Sequence, residues 1–415
     1  MCQHNHNIRK MSSALAECFK GQYSSALNDT KNRDRNVCID SSGGFLICLD
    51  VPSCTEFGVD YEVSRTGPNF QGVKFIPQGL HLVIFRPRED EYGFRKGFFI
   101  NFTSPRQVIV KTWIPEDEEL CTPSGLVNLQ YLEEAARTFQ MDGKLGPYPY
   151  NHYRTWRRLS TYMTLSVLKR CGIEPNAIIL PGDSTPSLRE SVCASPSDVN
   201  TELPKSPITP SFTRISIRKS GLSGKECTSY YMDRSAMLKE IVEQSFDGNG
   251  LELLGELQLS FVIFLQLSSF AAFNQWRDIL TLLCSCESAL KSHSSLFLAF
   301  CKVLYAQLEK IPEDFFTSEL TDENFLQVIL ASFFELLEDN CLDAKLRQHG
   351  QQMRTFMAER YQFAFFDSHC IVKTEYDPTV VNLQEEGDEA MEEKFNEDVA
   401  LAFLHYKSCE APRVT

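Results

Sequence analysis

The sequence predicts an α+β multidomain protein, in which an all-β domain resembling a sandwich or barrel precedes an all-α helical bundle or superhelical domain. Three observations support this fold class. Short apolar runs bounded by glycine and proline fill the first part of the chain, apolar residues then recur at helical spacing, and a segment rich in serine, threonine and proline separates two helical stretches. A length of 415 residues allows two or three folded units.

The N-terminal part contains a polar leader and the β-rich domain. Residues 1–42 have little apolar surface to bury and predict a flexible leader. Residues 43–122 predict the β-rich domain, because four runs have strand length and are rich in β-branched or aromatic residues. These runs are residues 45–49, 80–85, 97–102 and 108–113.

Residues 123–180 predict a helical extension of this domain. Apolar residues from Leu126 to Phe139 are three or four positions apart, which indicates one helix. A turn with two prolines follows at 145–150. A second helix is predicted beyond it, with Tyr153, Trp156 and Val167 on one face.

A linker is predicted at residues 181–230. Serine, threonine and proline account for 22 of the 49 residues from 181 to 229, and large apolar residues are scarce. Such a composition cannot bury enough surface to offset the entropy lost on ordering. Within the linker, residues 212–217 alternate between polar and apolar and predict one additional strand.

Residues 231–370 predict the α-helical C-terminal domain. Helices are expected around Leu238, Leu257, Ile279, Leu298, Val328 and Phe356, joined by short loops that favour antiparallel neighbours. The most apolar stretch, residues 257–273, is interrupted by glutamines and serines, whereas a membrane-spanning helix needs about 20 predominantly apolar residues. We therefore expect no membrane association.

Residues 371–415 predict an acidic tail. Residues 375–398 contain ten acidic residues and one lysine. A short strand-like run lies within this stretch at residues 379–383. Farther along, Phe395, Val399, Ala402 and Tyr406 are three or four positions apart, which predicts an acidic amphipathic helix.

The overall charge and the cysteines restrict the possible functions. The chain has 41 lysine and arginine residues against 55 acidic ones, a formal net charge of −14, which argues against a general nucleic-acid binder but leaves a local basic patch open. Its 15 cysteines are scattered, and no apolar segment of a secretory signal follows Met1. We expect a reducing compartment, reduced thiols and no disulfide framework.

No motif in the sequence predicts an enzyme. Glycine-rich phosphate loops, the Gly-x-Ser-x-Gly hydrolase motif and the His-Glu-x-x-His zinc motif are all lacking. Cys284 and Cys286 point in different directions on a helix and are expected to be buried free thiols rather than metal ligands. His81 lies in an apolar strand and is more readily explained as a core residue than as a base. We expect no catalytic residue, metal or cofactor.

Several long motifs resemble those of the Aar-two family of splicing factors. They occur in order between about residues 44 and 383, omitting the linker. The motifs are Cys54-Thr-Glu-Phe-Gly-Val-Asp60, Gly67-Pro-Asn-Phe-Gln-Gly-Val-Lys-Phe-Ile-Pro-Gln-Gly-Leu-His81, Gly97-Phe-Phe99, Leu145-Gly-Pro-Tyr-Pro-Tyr150 with Trp156, Gly255-Glu-Leu-Gln-Leu-Ser-Phe-Val262, Trp276, Ile311-Pro-Glu-Asp-Phe-Phe316 and Asn324-Phe-Leu326. We expect their glycines, prolines and aromatics to serve the fold.

The resemblance implies a non-enzymatic assembly chaperone of the U5 small nuclear ribonucleoprotein (snRNP). Family members are expected to hold the large spliceosomal scaffold protein, Prp-eight, by its RNase-H-like and Jab/MPN-like domains. While bound they keep the U5 helicase away, and phosphorylation is thought to release them. The partners implied are this scaffold and other U5 snRNP proteins, and the location implied is the cytoplasm with shuttling to the nucleus. We expect the chain to be a monomer.

Two sets of residues fit this mechanism. The strand-like run in the tail could add to an exposed sheet edge of the partner, and it consists of Thr379, Val380, Val381, Asn382 and Leu383. Docking of this strand back onto its own protein is the alternative. Candidate phosphorylation sites precede proline or lie near arginines, and they are Thr185, Ser195, Ser206, Thr209, Ser216 and Ser220.

Two other functions are compatible with the sequence. A helical adaptor in trafficking or scaffolding would bind peptides in a groove between its helices. An unrecognised enzyme would need a site assembled from separated residues, with His81 and nearby carboxylates as candidates. A deep polar pocket at His81 would favour the enzyme, and a filled core would not.

Overall fold

The computed structural model describes residues 42–87, 95–123, 128–179, 208–215, 224–311 and 325–361. In these residues the first part of the chain forms the strands β1 Gly44–Leu49, β2 Glu56–Val59, β3 Glu62–Arg65, β4 Gly72–Ile76, β5 Gly79–Arg86, β6 Lys96–Phe102, β7 Val108–Ile114, β8 Glu119–Cys121 and β9 Gly146–Pro147. The four predicted strands correspond to β1, β5, β6 and β7, so the β-rich domain is confirmed.

These strands form two sheets that share one core, which makes the domain a sandwich. One sheet has the strand order β8-β7-β1-β4-β9, and the other has the order β3-β2-β5-β6. Neighbouring strands are antiparallel, except that β7 runs parallel to β1 and β9 runs parallel to β4. Side chains on β1 alternate accordingly: Leu46 and Cys48 lie in the core between the sheets, whereas Phe45 and Ile47 pack in a second cluster with Ala135 and other residues.

A buried lysine occupies part of the sandwich core. Lys111 on β7 is 1% exposed and lies on the same face of the strand as Ile109 and Trp113, which belong to the core between the sheets. Its Nζ atom lies 4.9 Å from the ring centre of Phe98 and donates a hydrogen bond of 3.2 Å to Thr122 Oγ1. Burial disfavours the charged ammonium and lowers the pKa of Lys111 to about 8.

The remaining secondary structure is helical. Within the described residues the α-helices are α1 Leu129–Arg137, α2 Tyr150–Ser160, α3 Leu165–Arg170, α4 Gly224–Met232, α5 Ser235–Ser245, α6 Gly250–Leu267, α7 Phe270–Cys284, α8 Glu287–Ser292, α9 Ser294–Leu308, α10 Phe325–Leu337 and α11 Ala344–Tyr361. The six helices predicted after residue 231 correspond to α5, α6, α7, α9, α10 and α11. Helices α4 and α8 were not predicted.

The prediction of one continuous helix from Tyr153 to Val167 is wrong. Helix α2 ends at Ser160, and α3 begins after Thr164, whose backbone is extended and whose hydroxyl accepts a hydrogen bond from Val167 N. Tyr162 N donates to the side chain of Gln258 at 2.7 Å instead of to a carbonyl of the preceding turn. The distant glutamine thus accepts the N–H that would continue the first helix, and the threonine cap begins the second.

The chain divides into two compact units, and the division falls within α5 and α7. Of the described residues, the sandwich unit contains 42–215 and 239–280, and the helical unit contains 224–238 and 281–361. In the sandwich unit α2 and α3 pack against α6. In the helical unit α11 packs against α9 and α10. Helix α6 therefore belongs with the sheets, although the sequence predicted it as part of a separate domain beginning at residue 231.

Helix α6 is the central helix of the sandwich unit. By length and composition it could cross a membrane, but 83% of its residues are buried inside the protein. Its polar residues Glu256, Gln258 and Ser260 are completely buried as well. Polar groups removed from water must form hydrogen bonds, and the partners of these side chains define the site described next.

Candidate functional site

The structure describes one of the predicted site residues. Thr209 lies in a segment, residues 208–215, that we call the anchored segment, and its side chain is exposed. The other predicted site residues lie outside the described residues: Thr379, Val380, Val381, Asn382 and Leu383 of the tail strand, and Thr185, Ser195, Ser206, Ser216 and Ser220 among the candidate phosphorylation sites. The structure therefore places Thr209 and leaves the rest as predictions.

The anchored segment is held to the sandwich unit at both of its ends. At its start, Ile208 N donates to Ile178 O at 2.8 Å, and Ile208 forms a parallel bridge with Ile179. Ile179 in turn bridges Gly97 on β6. Ser211 N then donates to Cys171 O at 2.9 Å. Among the described residues of the predicted strand 212–217, residues 212–215 do not form a strand.

A buried carboxylate on α6 holds the far end of the anchored segment. Thr213 donates its backbone N–H to Glu256 Oε1 at 2.7 Å and its hydroxyl to Glu256 Oε2 at 2.8 Å. Gln275 Nε2 donates to both Glu256 Oε1 and Thr213 O at 2.9 Å. Three elements of the sandwich unit, α6, α7 and the anchored segment, are therefore joined through one carboxylate.

Burial and hydrogen bonding act on this carboxylate in opposite directions. Glu256 is completely buried, and burial raises its pKa above the usual range. The hydrogen bonds from Thr213 and Gln275, together with the positive charge of Arg170, favour the ionised form and oppose this effect. The anchored segment thus supplies two of the donors that make a buried carboxylate tolerable.

The sequence did not predict this role of Glu256. Its partners Thr213 and Gln275 are distant in the sequence, and periodicity carries no information about which distant polar groups meet. A signal was nevertheless present, because Glu256 is a carboxylate within an otherwise apolar helix, and buried charges in proteins are paired or hydrogen-bonded.

Neighbouring residues of the same motif have structural roles that explain their identity. A side chain at Gly255 would place its Cβ 2.3 Å from Tyr162 O, so glycine permits the close approach of α6 to the turn after α2. Gln258 accepts from Tyr162 N and donates to Arg158 O at 2.9 Å. The motif at 255–262 therefore joins the helical extension and the anchored segment to α6.

The second set of motif residues forms a hydrogen-bond network around His81. His81 is 1% exposed, its Nδ1 lies 2.7 Å from Asp60 Oδ2, and its Nε2 donates to Pro77 O at 2.9 Å. The hydroxyl of Tyr148 donates to the same oxygen of Asp60, and Leu82 N donates to the other at 3.0 Å. Burial and the Asp60 carboxylate raise the pKa of Tyr148.

This network has no free base. Both ring nitrogens of His81 have partners, and the ring is enclosed by Trp156, Tyr148 and Phe102 at centre distances of 6.4, 5.6 and 6.2 Å. The core around His81 is filled, which disfavours the hypothesis of a catalytic site there. Three of the motifs quoted for the family thus supply Asp60, His81 and Tyr148 to one structural network.

The paired cysteines are also part of a core. Cys284 and Cys286 are buried free thiols, as predicted, and burial raises the pKa of both, that of Cys286 to about 12. The Cys286 thiol donates to Leu282 O at 3.1 Å. Over the residues that the structure describes, no group of three or more His, Cys, Asp or Glu side chains could hold a metal ion.

Comparisons with known proteins match both parts of the chain. The AAR2 N-terminal domain matches residues 42–173, and the AAR2 C-terminal repeat region matches residues 212–366. The mouse protein named Protein AAR2 homolog is 30% identical over 349 residues, covering 78% of this chain and 90% of the relative. The chain belongs to the AAR2 family. The resemblance seen in the motifs is thereby confirmed.

Other AAR2 homologues show the same extent of similarity. The human Protein AAR2 homolog is 29% identical over 349 residues, covering 78% of this chain and 90% of the relative. The Caenorhabditis elegans homologue is 29% identical over 355 residues, with coverage of 78% and 95%. The anchored segment straddles the start of the AAR2 C-terminal match at residue 212, and Thr213 and Glu256 both lie inside that match.

Proposed function

We propose that this AAR2 family member is a splicing factor that acts in the assembly of the U5 snRNP and has no enzymatic activity. The observation that supports it is the family match, which includes both the β-rich part and the helical part of the chain. The filled core at His81 agrees with a binding function, since that residue was the leading candidate for a catalytic base.

The proposed partner is the large spliceosomal scaffold protein, bound through its RNase-H-like and Jab/MPN-like domains. Residues 379–383 would add as a strand to an exposed sheet edge of this partner, with main-chain hydrogen bonds supplying affinity. Five extended residues span roughly 17 Å, the length of an ordinary strand. While the factor is bound, the U5 helicase would be unable to dock on the same scaffold.

Phosphorylation is the proposed release mechanism. Thr209 precedes a proline, is exposed, and directly follows the bridge between Ile208 and Ile179. A phosphate there would add about −1.5 to −2 charges next to the sandwich unit without entering its core. Further phosphates would add to this charge, and the candidate positions are Thr185, Ser195, Ser206, Ser216 and Ser220. Together the phosphates would repel an acidic surface of the partner.

Affinity purification of the full chain from cytoplasmic and nuclear extracts tests the proposal. We expect the scaffold protein and other U5 snRNP proteins to co-purify, mainly from the cytoplasm, and the helicase to be depleted from these complexes. Recovery of neither the scaffold nor any U5 protein would contradict the proposal. Recovery dominated by membrane-coat proteins would instead support the alternative, a helical adaptor that binds peptides.

Three variants test the parts of the mechanism separately. Deletion of residues 375–415 should weaken scaffold binding at least tenfold, and unchanged affinity would exclude the tail strand as a binding element. Glutamate in place of Thr185, Ser195, Ser206 and Thr209 should also weaken binding, whereas alanine at the same four positions should make the complex insensitive to kinase treatment. Equal affinity of the glutamate and alanine variants for the scaffold would exclude release through these four sites.

A further inference from the structure

The helical unit contains a groove between α10 and α11 with a volume of about 370 Å³. Its floor is apolar and consists of Phe334 and Leu337 from α10 and Gly350 from α11, all of which are buried. A Cβ at Gly350 would lie 2.8 Å from Leu337 Cδ1, so glycine lets the two helices approach closely at this point. The groove is therefore bounded by a tight helix contact.

The rim of the groove is polar and contains two arginines and one glutamate. Arg347 and Arg354 of α11 are half-buried at its edge, and Gln351 is exposed between them. Arg354 forms an ion pair with Glu338 across the groove, and Arg347 Nη1 donates to Asn340 at 3.1 Å. The Nε atom of Arg347 is buried and has no hydrogen-bond partner. An apolar floor with arginines at the rim suits an acidic, amphipathic helix.

We propose that the predicted amphipathic helix of this chain's own tail, around Phe395 to Tyr406, docks in the groove between α10 and α11. Its apolar side contains Phe395, Val399, Ala402 and Tyr406, and acidic residues precede or flank it at Glu392, Glu393, Glu397 and Asp398. The apolar side would fill the groove above Phe334 and Leu337, and the carboxylates would face Arg347 and Arg354. This docking is independent of the identity of the partner proposed above.

The dimensions of the two elements agree. At 1.5 Å per helical residue, the predicted helix from Phe395 to Tyr406 is about 16 Å long, and the part of α11 from Ala344 to Arg354 that lines the groove is about 15 Å long. Charge complementarity extends beyond the groove, because α11 contains Lys345, Arg347, Arg354 and Arg360 and a single acidic residue, Glu359.

The connection between α11 and the predicted helix is long enough for docking. The end of α11 is fixed, since the hydroxyl of Tyr361 donates to Leu308 O at 2.7 Å and to Ile311 O at 3.0 Å. The 33 residues between Tyr361 and Phe395 give a root-mean-square span of roughly 30 Å for a flexible chain. Tethering of this kind gives an effective concentration in the millimolar range, so a weak contact is sufficient.

Docking would also constrain the tail strand. Residues 379–383 lie between Tyr361 and Phe395, and both ends of that stretch would then be attached to the helical unit. The strand would be presented to a partner on a closed loop rather than on a free end. Closing the loop in advance removes part of the entropy that the strand would otherwise lose on binding.

Hydrogen–deuterium exchange of the full chain tests the docking. We expect the amides of residues 395–406 to exchange at least tenfold more slowly than those of an isolated peptide with the same sequence. Arg347→Glu and Phe395→Ser should each remove most of this protection. The matched control is Lys345→Glu, which makes the same charge change on an exposed residue of α11 that does not line the groove.

Two results would overturn the inference. One is exchange of residues 395–406 at the peptide's rate in the unaltered chain. The other is protection that survives both Arg347→Glu and Phe395→Ser, which would mean that the helix docks elsewhere. Unchanged protection of the amides of α11 in each variant verifies that the helical unit is still folded, so loss of docking is distinguished from loss of the fold.

Discussion

Thr213 contributes both its backbone N–H and its hydroxyl to the buried carboxylate of Glu256, at 2.7 and 2.8 Å. The two residues lie in segments that the sequence assigned to a linker and to a separate helical domain. Their contact shows that residues 208–215 of the predicted linker are attached to the sandwich unit. It also makes the stability of that unit depend on a hydroxyl that is only partly buried.

Replacing Thr213 with valine should destabilise the sandwich unit by about 1–3 kcal/mol, because Glu256 then loses a hydroxyl donor in a buried site. Urea unfolding measures the change, and proteolysis should cleave faster within residues 180–215. Thr209→Val is the control, since Thr209 is exposed and its substitution should stay within about 0.5 kcal/mol of the unaltered protein. Equal stability of both variants would show that the Thr213 hydroxyl contributes nothing through its hydrogen bond to Glu256.

Lys111→Met should stabilise the protein at neutral pH. The pKa of Lys111 is lowered to about 8 in the folded protein, against 10.5 when exposed, so keeping the charge buried below pH 8 costs up to about 3 kcal/mol. Loss of the contacts with Phe98 and Thr122 reduces the expected gain to about 1–2 kcal/mol.

The effect of Lys111 should depend on pH in a defined direction. Between pH 8 and 10.5 the unfolded chain keeps the proton and the folded protein releases it, so the stability of the unaltered protein rises with pH. The advantage of the methionine variant should therefore be largest below pH 8 and should shrink as pH rises toward 10.5. Denaturant titrations of both proteins at pH 7, 9 and 10.5 measure this, and a pH-independent difference would contradict it.

Gly255→Ala should be one of the more damaging single substitutions in α6. The new methyl group would lie 2.3 Å from Tyr162 O, and overpacking of this kind typically costs about 1–3 kcal/mol. Gly143→Ala is a suitable control, because its Cβ would have nothing within 4 Å. Thermal unfolding should show a lower midpoint for Gly255→Ala only.

His81→Ala should destabilise the sandwich by about 3–5 kcal/mol, because Asp60 would be left buried without its principal partner. His152→Ala removes a comparable pair with Glu62, but both side chains are more than a third exposed, and the loss should stay below about 1 kcal/mol. Circular dichroism during heating measures both. Similar midpoints for the two variants would show that the Asp60 network is not a stabilising feature.

Much of the fold could be predicted because it follows from local periodicity. Strands β1, β5, β6 and β7 have apolar runs of strand length, and helices α5, α6, α7, α9, α10 and α11 carry apolar residues at helical spacing. Strand β3 was missed because its side chains are half-buried or exposed, so its sequence lacks an apolar pattern. The break between α2 and α3 was missed because it depends on Gln258, a side chain from a distant helix.

The sites were less predictable, because they depend on contacts between residues that are distant in the sequence. Composition identified the stretch rich in serine, threonine and proline, but the anchored segment is defined by Ile208 and Thr213 meeting groups far away in the sequence. His81 could be assigned to a core from its apolar strand alone. Its partners Asp60 and Tyr148 lie within other family motifs, yet nothing in the sequence indicates that these motifs converge.

The bridge between Ile179 and Ile208 brings together the two ends of residues 180–207, so this stretch is inserted between two fixed points of the sandwich unit. Lengthening a connection between two fixed points costs only about 0.6 kcal/mol per doubling of its length. A fluorescent protein or an affinity tag placed near residue 195 should therefore leave the fold intact. That position offers a label for following the protein in cells, with both chain ends left free.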